Sequence, residues 1–155
     1  MEAIWTSGVA VAGTLIGVVV THFFQLDAAR RGERFARSEA LWQERIATYS
    51  AFAAAAEEYR RGQAERWYGR QQDPQGEAFL RARDEAHRLR TVARQVLYRV
   101  DLVTEDTEVV RAAKHAYDRT RDMSTAGDQA GHDALDTLAR QAIEDFVARA
   151  SPLIR

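Results

Sequence analysis

The pattern of apolar and polar positions changes character once along this chain. From Ala3 to Phe24 there is no charged residue, and Val9 to Val20 is almost wholly Val, Ala, Ile, Leu and Gly, with Thr14 the one polar interruption. Beyond that run, apolar residues recur in steps of three and four, the spacing that paints one side of a helix. The first stretch of 22 residues makes a helix of about 33 Å, enough to cross a hydrocarbon core of about 30 Å. A buried core helix of that length usually carries charge on one side, and a secretory signal begins with basic residues and has a shorter apolar centre. The chain begins Met1-Glu2, so the pattern predicts an uncleaved transmembrane anchor over residues 1–26.

The periodic part predicts four helices. The first carries Phe35, Trp42, Ile46, Tyr49, Ala53 and Ala56 on one side, with Phe52 and Tyr59 adjacent, and Arg37, Glu44, Arg45, Glu57, Glu58 and Arg61 opposite. It should fade between Gly69 and Gly76, around Asp73-Pro74. The second, from about Glu77 to Val103, has the stripe Phe79, Ala82, Ala86, Leu89, Ala93, Val96, Val100 and Val103. Thr104 is expected to cap a third helix from Glu105 to Met123, with Val109, Val110, Ala113, Ala116 and Tyr117 inward. The fourth, from about His132 to Ala150, should bury Leu135, Leu138, Ala139, Ala142, Ile143 and Phe146, with His132 itself at the surface. Each stripe needs a partner, so the expected fold is all-α: a transmembrane helix followed by an antiparallel bundle of about four helices over residues 27–155. Gly32 lies in the connector, where the helix either continues or hinges.

The flanks of the anchor give its orientation. Only Glu2 precedes it, whereas Arg30, Arg31, Arg34 and Arg37 follow within reach of the headgroups, and an Arg excess marks the cytoplasmic side. The N-terminus is therefore expected outside and the bundle in the cytoplasm, at an inner membrane. Trp5, and His22 with Phe23 and Phe24, suit the two interfaces. Gly13 and Gly17 form a Gly-x-x-x-Gly pair with Ala10 and Thr6 on the same side, a pattern that lets two membrane helices approach closely.

Composition narrows the chemistry. The chain has 155 residues, no Cys and a net charge of −1, which excludes disulfides, thiolate zinc sites and cysteine nucleophiles. A near-neutral balance argues against nucleic acid as a partner, since phosphate neutralisation needs a basic face. Asp84-x-x-His87 and His115-x-x-Asp118, with Glu57, Glu58 or Glu144, are the candidates for a metal site between helices. Bundle di-metal centres use Glu-x-x-His pairs, and this sequence has none. There is no phosphate-cradling Gly loop and no Gly-x-Ser-x-Gly elbow. No catalytic residue, cofactor or metal is assigned.

The run Trp42-x-Glu44-Arg45-x-x-x-Tyr49-x-x-Phe52, after an apolar start and an Arg-rich connector, resembles a group of uncharacterised small bacterial single-span membrane proteins. That resemblance covers about the first third of the chain and implies topology alone, with no activity to carry over. The reading is a membrane-anchored interaction protein, an accessory subunit or self-associating scaffold. Gly13 and Gly17 would pack the membrane contact, and Trp42, Ile46, Tyr49 and Phe52 the bundle. The expected partners are the membrane and a second copy of this chain, another membrane protein, or both. The alternatives are a small membrane-bound metal enzyme and a pore-forming effector.

Overall fold

The computed structural model describes the backbone of residues 2–154 and the side chains of residues 36–154. Four α-helices follow one another: α1 (Glu2–Gln72), α2 (Glu77–Val103), α3 (Thr107–Asp122) and α4 (Gln129–Ala150). Short 3-10 turns, Met123–Thr125 and Ser151–Ile154, close α3 and α4, and no strand occurs among the described residues. The chain forms two compact units, residues 1–41 and 42–155. Among the described residues no helix is long and apolar enough to cross a membrane. The expected span Ala3–Phe24, with Gly13 and Gly17, lies outside the residues to which that statement applies, as do the side chains of Arg30, Arg31 and Arg34.

Local chemistry sets the helix ends. Asp73 donates its N–H to the Gly69 carbonyl at 3.1 Å, Pro74 follows, and the Asp73 carboxylate accepts from the Gln75 N–H at 3.0 Å. The start of α3 differs from the expected one. Asp106, not Thr104, is the cap, accepting from the Glu108 and Val109 N–H groups at 2.9 and 3.1 Å. Thr104 is buried and its hydroxyl instead accepts from the Asp106 N–H at 3.2 Å, which shapes the turn before the helix. Likewise Asp128 accepts from the Gly131 N–H at 2.8 Å, so α4 opens at Gln129, earlier than His132. That earlier start puts His132 inside the first turns and on the buried side.

Cross-helix contacts fix an up-down-up-down order in the unit 42–155. Arg45 reaches the Val103 carbonyl at 3.0 Å, while Gly69 lies against Phe79, so α1 and α2 run antiparallel. Tyr49 meets Phe146 while Trp67 meets His132, so α1 and α4 are antiparallel too. Arg149 approaches Glu108 at 3.5 Å, which places the end of α4 beside the start of α3. Tyr59 against Tyr117 and Gln63 against Thr120 show α1 and α3 running the same way across the core.

The core matches large rings on α1 with small residues elsewhere. Tyr49, Phe52, Ala56 and Tyr59 are buried, facing Ala93, Ala113, Ala116 and Ala142 within one apolar cluster. Phe52 and Phe146 meet edge to face at 4.8 Å, a favoured ring geometry. Gly62 and Gly69, seven residues apart, allow α1 close to α2. A Cβ on Gly62 would sit 2.6 Å from Leu89 Cδ1, and one on Gly69 3.2 Å from Phe79 Cα. Two expected stripes differ at one edge. Leu97, which the spacing left out, is buried beside a half-buried Val96 that still packs on the core, and Leu138 is 43% exposed although Ala139, expected beside it, is buried.

Candidate functional site

The polar groups inside the bundle form three layers along α1, and their partners decide what the molecule can do. In the first, Arg60 donates to both Glu57 carboxylate oxygens at 2.9 and 2.6 Å and to the Asp136 carboxylate on α4. Arg140 holds the other Asp136 oxygen at 3.0 Å. Hydrogen bonding from Arg60 holds the Glu57 carboxyl below the usual range. Burial by itself raises Asp136, but hydrogen bonds from Arg60 and Arg140 outweigh it and leave its carboxyl low as well. The Arg60 guanidinium is correspondingly raised, first by its bond to Glu57.

The second layer has no carboxylate. Gln63 donates to the Thr120 and Arg121 carbonyls at 3.4 and 3.3 Å, both near the end of α3. Those carbonyls lie in the last turn, where a helix lacks its own donors. Arg90 donates to the Tyr117 hydroxyl at 3.3 Å, and burial pushes the neighbouring Tyr59 phenol up to about 12. The third layer lies where α1 meets the start of α4. Trp67 Nε1 and Arg70 both donate to the Ala126 carbonyl, at 3.3 and 3.0 Å. His132 stacks on Trp67 at 4.6 Å and 29° and leans on Tyr68. Its Nδ1 lies 3.3 Å from Asp133, and its buried Nε2 has no hydrogen-bond partner among the described residues.

The residues expected to pack the bundle divide along α1. Tyr49 and Phe52 are buried, Ile46 is half-buried, and Trp42 is 38% exposed. Arg37 is exposed. Gly13, Gly17, Arg30, Arg31 and Arg34 fall outside the described side chains. Of the metal candidates, Glu57 is engaged by Arg60 and Asp118 by Arg121 at 2.8 Å. No group of three or more His, Asp or Glu among the described residues could hold a metal ion. A cleft of about 200 Å³ between α3 and α4 is lined by Glu108, Arg111, Ala112, His115, Asp145 and Arg149. Its charges pair with one another, Arg149 with Asp145 at 2.8 Å and Arg111 with Glu108.

Sequence reasoning missed Arg60–Asp136, Gln63, Trp67 and His132. Gln63 had a readable signal, since it continues the buried register Tyr49, Phe52, Ala56, Tyr59 in steps of three and four. His132 had none, because its burial depends on where Asp128 starts α4. The polar side chains described here hold helices to one another, and large apolar ones, Tyr98 at 59% and Leu102 at 84%, remain exposed.

Fold and interior together define an all-helical up-down bundle whose polar residues serve its own packing. The family described as KilB plasmid transfer protein matches residues 46–154, from the half-buried Ile46 to the last 3-10 turn. The chain belongs to this KilB plasmid transfer protein family. No curated protein and no solved structure matches it.

Proposed function

We propose that this chain is a membrane-anchored interaction protein of plasmid transfer, an accessory subunit or self-associating scaffold of a membrane complex. A single span over Ala3–Phe24 would hold the N-terminus outside and the bundle in the cytoplasm. One observation carries the reading: an uncharged run long enough to span, followed by Arg30, Arg31, Arg34 and Arg37. Membership in the KilB plasmid transfer protein family supports plasmid transfer as the process. The bundle supports a binding role, because Arg60, Gln63 and Trp67 are spent on its own helices.

The test is purification in mild detergent from native membranes, with mass spectrometry of what stays bound. A stoichiometric membrane protein of the transfer apparatus is the expected result for an accessory subunit. A defined multiple of this chain alone is the result for a scaffold. Recovery in the aqueous fraction without membranes overturns the reading. Alkaline phosphatase fused at Arg155 should be inactive, and activity there reverses the topology. Gly13→Ile with Gly17→Ile should weaken association if these glycines pack the span.

A further inference from the structure

The exposed face of α2 carries a second seam that the bundle does not use. Thr91, Gln95, Tyr98 and Leu102 follow at steps of four, three and four, and all four are exposed. They lie diametrically opposite Ala93 and Val100, which are fully buried. The seam is uncharged over three turns in a helix otherwise dense in Arg, and it ends on Leu102, 84% exposed. Steps of three and four are those of a helix packing along another helix. The charges beside the seam then select the occupant and its direction.

Arg94 and Asp101 flank one side of the seam and Arg99 the other. In a parallel pairing with a second copy, Arg94 would face Arg99 of that copy, a guanidinium already held by Glu44 at 2.7 Å, so the pairing gives Arg94 no acidic partner. In an antiparallel pairing, Arg94 faces Asp101 of the second copy, and the same contact recurs across the twofold axis. Gln95 then opposes Tyr98 and Thr91 opposes Leu102, joining a phenol to an amide and a methyl to an isobutyl group. Arg94 makes no ion pair among the described residues. Asp101, although 3.1 Å from Lys114, keeps a side chain that is 47% exposed.

We infer that α2 is a self-association surface, on which a second copy of this chain docks antiparallel through Thr91, Gln95, Tyr98 and Leu102. One seam of three turns is a small contact, well below the roughly 1,000 Å² of a stable free dimer. It therefore rests on the proposed membrane confinement, which raises the effective concentration of the bundles.

The absence of Cys makes the test direct. Differently tagged full-length chains bearing Gln95→Cys and Tyr98→Cys are co-expressed and oxidised in native membranes, with Leu138→Cys on α4 as the exposed control. The expected result is a mixed 95–98 crosslink several-fold above the control. Arg94→Asp should lower it several-fold, and adding Asp101→Arg to the same chain should restore it. Crosslinks of 95 to 95 and 98 to 98 exceeding the mixed pair, or yields equal to the control, overturn the inference. Crosslinking through Gly13→Cys without any on α2 overturns it while leaving self-association standing. No crosslink at either place removes both.

Discussion

The two ends of the bundle are built from different chemistry. Where α1 enters, Tyr49, Phe52 and Phe146 pack ring on ring with alanines filling the gaps, and the bonds from α1 to α2 are made by Arg45 with the Val103 carbonyl and Arg99 with Glu44 rather than by the rings. Where α1 leaves, Trp67, Arg70, Gln63 and His132 bind named carbonyls or stack on one another. The dry end gains stability in proportion to buried area and is indifferent to direction. The polar end gains less per group but specifies which turn follows α3 and where α4 begins. Arg60, between them, ties α1 to α4 by charge. The lesson is a division of labour: one end holds the helices together and the other holds them in register.

Substitutions can break that comparison, beginning with the largest effect. Phe52→Ala empties a fully buried site at the dry end and should cost about 3–5 kcal/mol in a urea unfolding curve of the purified full-length chain. A loss below about 1 kcal/mol would show that this end does not carry the stability. Asp136→Ala leaves the part-buried Arg60 with Glu57 alone and should cost roughly 2 kcal/mol, and Arg60→Met, which strips both carboxylates of this partner, should cost at least as much. Double-mutant cycles on this pair would show whether its coupling is more than additive.

Acid probes the same network. Glu57 and Asp136 have folded pKa values below their ordinary ones, so their contribution is present above the unfolded values, near pH 4. It is lost as pH falls through the lowered folded values. Unfolding midpoints should therefore drop below about pH 4, and the drop should be shallower in Arg60→Met. At the polar end, Trp67→Phe keeps a ring over His132 but removes the N–H to Ala126, for about 1 kcal/mol. Amide exchange should quicken in the turn 123–128 more than around Phe146, and uniform change would erase the distinction between the ends. The smallest effect is Asp106→Ala, about 1 kcal/mol or less from the lost cap, with Thr104→Ala smaller still at this helix start.

The sequence by itself determined the helical class, the loop at Asp73-Pro74, and the buried run of Tyr49, Phe52, Ala56 and Tyr59. Those features follow from local periodicity and from residues that cannot continue a helix. It also carries the uncharged run Ala3–Phe24, on which the proposed anchoring depends. Only the tertiary structure decided that Asp106 rather than Thr104 caps α3, that Leu97 joins Val96 on the inward side, and that His132 is stacked against Trp67. A one-residue shift rotates a helix face by about 100°, so a stripe read from spacing leaves the inward edge open by one position. Arg60 and Asp136 lie far apart in sequence, and no periodic pattern joins two charges that meet only when α4 folds back along α1.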